Sequence, residues 1–146
     1  MRGVFFLGVF LFGGVGFSCP NLNGKWNCRS DLGGVSPSVI VQLGDHFIFD
    51  GDADFIQEVY ADGKERVVQD DTRTIWTTGS CPNEKSLKAT QRQKVKDESA
   101  GYDAQISYDL LMDTAQSFYS KTLVKISFDD GSVDSQKQNL NCTKSN

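Results

Sequence analysis

The chain has 146 residues, of which 15 are basic and 19 acidic, and a formal net charge of −4. That balance argues against a nucleic-acid partner, because phosphate binding calls for a basic face. The length fits one domain with a modest core, and no repeat, low-complexity tract or linker supports a second.

Arg2, the apolar run Val4 to Val15 and the small residues Gly16 and Ser18 follow the order of a secretory signal, with cleavage expected before Cys19. The run is shorter than the roughly 20 residues that cross a bilayer core, and no second one follows, so no transmembrane segment is expected. The expected organisation is a signal peptide over 1–18 and a single domain over 19–146. Such a chain is exported, to a periplasm or to the extracellular space. Without Arg2, 14 basic side chains face 19 acidic ones, so the exported part stays acidic. A cysteine at the mature N-terminus is also where bacterial lipoproteins carry their lipid, which makes an envelope-anchored lipoprotein with a lipid anchor at Cys19 the alternative. Lipidation would leave Cys28, Cys81 and Cys142 as an odd set.

Past Cys19, short runs with a period of two follow one another at strand-length spacing. "GKWNCR" opens the series. "SVIVQL" and "HFIF" flank Gly44-Asp45, and "FIQEVYA" and "KERVVQ" flank Asp62-Gly63. "TRTIWTT" and "SLKATQRQKVK" come next. From Tyr102 to Met112 the even positions carry Tyr, Ala, Ile, Tyr, Leu and Met, which predicts a long half-buried strand. Ser120 to Phe128 repeats the pattern, and "SVDSQ" follows Asp130-Gly131. Gly, Asp and Asn accept the positive φ of primed turns, so each dipeptide predicts a hairpin. One of them fits poorly: pairing across Asp62-Gly63 sets Tyr60 against Glu65 and Glu58 against Val67, which suits a rim or an edge. No segment shows a 3.6-residue apolar period. The expected fold is all-β, an antiparallel up-and-down meander of about eight to nine strands closing into a disulfide-linked barrel, since closure removes exposed edges.

Four cysteines in an exported chain read as two disulfides. Cys28 lies on the first predicted strand and Cys142 just beyond the last, so a bridge between them would tie the barrel seam and leave Cys19 with Cys81. The pairing of Cys19 with Cys28 and Cys81 with Cys142 stays open.

"CPNLNGKWNC" contains Leu22-x-Gly24-x-Trp26, which resembles the first strand of calycin barrels. In lipocalins a Gly-x-Trp opens that strand and its Trp plugs the closed end; avidins open theirs with a similar Thr-Gly-x-Trp. The resemblance implies an up-and-down barrel that binds a small ligand inside. Lipocalins cover the Trp with a late Arg, whereas no Arg follows Arg92, and avidins wall biotin with several Trp where this chain has two; biotin is not the expected ligand. "WNC" at Trp26 and "WTTG" at Trp76 also resemble segments of periplasmic C-type lysozyme inhibitors, although the inhibitory Ser-Gly-Ser loop is missing and Thr78 stands in place of Lys.

Catalytic chemistry finds little support. His46 is the only histidine, beside Asp45 in a turn that points neighbouring side chains apart, so no Ser-His-Asp set forms and no enzyme is expected. Asp50, Asp52 and Asp54 begin like an EF-hand loop, but Phe55 and Ala61 occupy its Gly and Glu positions, so no metal site is assigned. No cofactor is expected. Lys88, Arg92, Lys94 and Lys96 form a basic stripe on one strand face, while Gln91 and Gln93 share the other face and suggest a wet interior. The expected function is an exported binding protein holding a small hydrophobic or amphipathic molecule. Its candidate ligand-binding residues are Trp26, Trp76, Tyr102, Tyr108 and Phe128, with Gln91 and Gln93. The alternative is a protein-interaction module or enzyme inhibitor of the lysozyme-inhibitor type, working through loops or the basic face. Asn141-Cys142-Thr143 fits a glycosylation acceptor and reads as a chance triplet.

Overall fold

The computed structural model describes residues 18–51, 55–96 and 100–145. The predicted signal, but for Ser18, and Asp52 and Asp54 of the acidic cluster lie outside these residues. The described chain folds into ten antiparallel strands: β1 (Gly24–Ser30), β2 (Val35–Leu43), β3 (His46–Gly51), β4 (Glu58–Tyr60), β5 (Arg66–Gln69), β6 (Arg73–Asn83), β7 (Ser86–Val95), β8 (Tyr102–Thr114), β9 (Ser117–Phe128) and β10 (Val133–Lys144). They form one sheet in the order β4-β3-β2-β1-β10-β9-β8-β7-β6-β5. The fold is therefore the all-β, disulfide-linked, up-and-down meander expected, with ten strands in place of eight to nine, and the sheet curls strongly into a half-barrel.

Period-two burial in the long strands gives the curled sheet its inner face. On β8, Ala104, Ile106, Tyr108 and Leu110 are buried, while Gln105 and Asp109 are exposed. Cross-strand partners share a face, so the register carries this inner row to Thr122 and Val124 on β9 and to Ala89 and Leu87 on β7. Gly44-Asp45 makes the tight hairpin predicted, with Leu43 opposite His46.

At Asp62-Gly63 the structure departs from expectation. β4 and β5 do not pair. β4 pairs with β3, then the chain crosses over, Asp62 bridges to Ser80 of β6, and β5 pairs with β6 from Thr77 to Thr74. The poor facial match across Asp62-Gly63 has this cause: the segment serves both edges of the sheet, one after the other. Gly63 N–H donates to Gly79 O at 2.8 Å. Gly79 permits the approach, because a Cβ there would sit 2.8 Å from Tyr60 O and collide with the Val59 side chain. The two edges thus touch at one end and diverge toward the other.

The last strand runs to Lys144, so Cys142 lies within β10, directly opposite Cys28 of β1. The two form the bridge across the β1–β10 seam, and Cys19 joins Cys81 on β6. Two disulfides belong to an oxidising, non-cytoplasmic compartment. A sulfur held in a disulfide cannot carry a thioether lipid, so the Cys19–Cys81 bridge and a lipid anchor on Cys19 exclude one another.

The closed end is packed solid. Leu22, Trp26, Phe47, Leu87, Leu110 and Phe118 are buried there. Trp26 stands edge-on to Phe118, with centroids 4.7 Å apart, and its Nε1–H donates to Leu22 O at 2.8 Å. Lys144 Nζ lies 5.4 Å from the indole centroid. Gly24, at φ 135°, makes room, since a Cβ there would be 2.9 Å from Lys144 Cε. Among the described residues no helix is long and apolar enough to cross a membrane.

Candidate functional site

Toward the mouth the inner face changes character. β7 turns Gln91 and Gln93 inward, where the register sets them beside Thr77 and Ile75 of β6. Because β5 follows β6 while β4 stays with β3, the wall is open between them. A cavity of about 810 Å³ occupies this opening, lined by Ile75, Thr77, Gln91, Gln93 and Phe55, with Val68 at the edge. Tyr102 continues the row at the rim: Gln93 Nε2 donates to its hydroxyl at 3.4 Å, and its ring tilts against Phe128 with centroids 6.4 Å apart. Arg66 and Arg73 also border the cavity. Neither is a free cation, because Asp62 accepts two hydrogen bonds from Arg66, each 3.0 Å, and Asp70 accepts one from Arg73 at 2.9 Å. These partners hold both carboxyls near a pKa of about 2. For Asp62 the Arg66 side chain is the main cause, and for Asp70 it is the Thr72 backbone N–H.

Phe55 also borders a second, smaller chamber of about 300 Å³. Its floor is the inner face of β9 and β10, with Thr122, Val124 and Gln138, and Leu32 of the β1–β2 loop stands over it. Phe55 is the residue that the two cavities share.

The predicted ligand-binding residues separate into three groups. Gln91 and Gln93 line the larger cavity, and Tyr102 and Phe128 follow them in contact, Tyr102 bonded to Gln93 and Phe128 against its ring. Trp26 is fully buried in the closed-end plug, and Tyr108 packs into the core against Phe49, centroids 5.7 Å apart, so neither borders an opening. Trp76 faces the other way. It pairs with Arg92 on the outer face, where the guanidinium lies 5.3 Å from its ring, and lines a separate groove of about 600 Å³ with Thr78, Thr90, Ser107 and Lys125. Placing Trp76 among the interior walls is thus corrected: hydrophobicity suggested inward, but Cys81 and Gly79 set the inward parity of β6, which selects Ile75 and Thr77. Cys81, buried in its bridge, was the signal that could have found them. Phe55 and Gln138 carried no such signal, since one sits in a loop and the other in a polar stretch.

The basic stripe does face outward, and two of its four cations are paired with acids of β8. Arg92 Nη2 donates to Asp103 at 2.6 Å and Lys88 lies 3.5 Å from Asp109. The guanidinium holds the Asp103 carboxyl below its usual range. His46 is not a free turn residue: it stacks on Tyr60 at 4.0 Å and bonds Glu58 at 2.8 Å. Among the described residues no three His, Cys, Asp or Glu side chains are grouped to hold a metal ion. No protein family, curated protein or solved structure matches this chain.

Proposed function

We propose that this is an exported, non-enzymatic binding protein that carries a small hydrophobic or amphipathic molecule inside its curled sheet, in the manner of calycin barrels. The observation that carries the proposal is the cavity of about 810 Å³ between β4 and β5, walled by Ile75, Gln91, Gln93 and Phe55. Its size lies in the range of small-molecule sites, and its lining sets Phe55, Val67, Val68 and Ile75 among polar and charged groups that include Gln57, Glu58 and Tyr60. The Gly24-x-Trp26 plug with Lys144 laid over the indole supports the calycin likeness, as it closes one end and leaves the other for a ligand. Native mass spectrometry of the exported protein is the test, together with titration of an environment-sensitive apolar dye. A retained mass or dye binding that Thr77→Trp abolishes, with the β circular-dichroism signal intact, supports the carrier. No retained mass and no dye binding sinks it. The outer groove at Trp76 favours a second reading, an interaction module that grips its partner there. In that case Trp76→Ala, and not Thr77→Trp, would remove binding.

A further inference from the structure

β2 is apolar on both of its faces. Ile40 points into the core, while Val35, Pro37, Val39, Val41 and Leu43 take the outer face, where Ile48 of β3 stands directly opposite Val41. A strand of that composition belongs between two covering layers. Here only the inner layer exists among the described residues: Val35 is 60% exposed, Val41 42%, Leu43 66% and Ile48 38%. Together they present roughly 300–400 Å² of apolar surface in one strip, the size at which the largest patch on a monomer is often a functional one.

The charges beside the strip are sorted by sign. On the β1 flank the outer row holds Lys25, Asn27 and Arg29; on the other flank it holds Asp50 of β3 and Glu58 of β4. Lys25 and Asp50 share one rung, each paired with Val39 from its own side. Neither makes an ion pair among the described residues, whereas Glu58 is already bonded to His46.

We infer that a second copy of this chain covers the strip, β2 against β2, about a twofold axis parallel to the strand. That rotation lays the β1 flank of each copy over the β3 flank of the other, so Lys25 of each faces Asp50 of the other. An axis across the strand would set basic flank on basic flank instead. The curl of the sheet fits the same contact. Its outer face is convex across the strands, so two copies meet along one strand and part at the flanks, where a long lysine side chain can still reach. Both copies use the same patch, which closes the assembly at two. The strip and its rim, buried on both sides, come to about 1,200 Å² in total, the low end for a specific interface and the size of a weak dimer. An anionic lipid surface matches the strip less well, because Asp50 and Glu58 border it. The inference stands independently of the carrier function.

Sedimentation velocity of the exported, disulfide-bonded protein from about 1 μM to about 500 μM tests this. The wild type should pass from monomer to dimer with a Kd in the micromolar range. Val41→Glu should stay monomeric throughout with its β circular-dichroism signal intact, and Leu43→Lys, at the most exposed position, serves if that variant does not fold. Lys25→Asp and Asp50→Lys should each weaken the dimer about five- to tenfold, since each brings like charges face to face. Mixing these two variants should restore it as a heterodimer, seen by native mass spectrometry, because both contacts then join opposite charges. A wild type that remains monomeric at the highest concentration overturns the inference. A dimer that survives both Val41→Glu and Leu43→Lys, or charge variants that show no preference for one another, overturns it equally. Binding to phosphatidylcholine vesicles that Val41→Glu abolishes, with no dimer formed, assigns the strip to a bilayer instead.

Discussion

Gly24 and Gly79 are the residues whose missing side chains shape the molecule most directly. At Gly24 the backbone lies at φ 135° with Lys144 Cε close by. Gly24→Ala should therefore cost about 1–3 kcal/mol, read as a lower denaturant midpoint with an unchanged slope. Gly79→Ala drives a methyl into Val59 and Tyr60, where the two sheet edges meet. Overpacking of this kind costs about 1–3 kcal/mol. It should also speed hydrogen exchange at the Gly63 amide, whose bond to Gly79 O would be lost; protection equal to wild type would contradict this contact. At this scale the sequence was legible where one residue type has one use. Leu-x-Gly-x-Trp announced a buried indole, and Trp26 is one. Trp76 has the same chemistry but sits at the opposite parity, and a lone aromatic does not report which face it occupies. Lys144 escaped notice because a late lysine in a polar tail looks solvated until the register places it over a ring.

Among the elements, β5 is held least by packing and most by charge. Both of its valines are exposed, with Val68 at 65%, and only one edge is paired. Its flanks are pinned by Asp62 with Arg66 and by Asp70 with Thr72 and Arg73. Both carboxyls are lowered from 3.8 to about 2 in the folded chain. A depressed carboxyl contributes stability that is present above its unfolded value and lost as pH falls through the folded one, so the β5 pins should release between about pH 4 and pH 2. Trp76 lies opposite Val67 of β5, whereas Trp26 is sealed in the plug. Acid should accordingly shift Trp76 fluorescence, measured in a Trp26→Phe background, before the far-ultraviolet circular dichroism changes. Asp62→Asn should blunt the shift, and coincident transitions would contradict local release. Hairpin chemistry at Gly44-Asp45 and Asp130-Gly131 made the β2–β3 and β9–β10 pairings readable in advance. It misled at Asp62-Gly63 because turn residues report a reversal of the chain and say nothing of whether the strands on either side then bond to each other.

For the whole molecule, the decisive contacts join residues far apart in sequence. Cys28 and Cys142 are separated by 114 positions, and Cys19 and Cys81 by 62. By the loop-entropy relation either bridge constrains the unfolded chain by about 4–5 kcal/mol. A Cys28→Ala, Cys142→Ala double variant should lose about that much by chemical denaturation and still fold in the cold, because the β1–β10 ladder from Trp26 to Ser30 does not depend on the sulfurs. The meander and its seam were legible because period-two burial and an even cysteine count are global signals. The ten-strand count and the divergence of β4 from β5 were not, since they arise from where the two edges meet in space.

Both tails of the described chain leave from the plugged end. Ser145 N–H bonds Lys25 O at the start of β1, and Cys19 is fastened to Cys81 near the far end of β6. The mouth, with Leu32, Phe55, Tyr102 and Phe128 around it, is formed by internal loops and strand ends alone. A fusion partner, affinity handle or surface tether appended ahead of Cys19 or after Ser145 would therefore emerge on the side opposite the opening. Immobilised through either tail, the protein would present its cavity outward to solution, ready for ligand capture without a spacer.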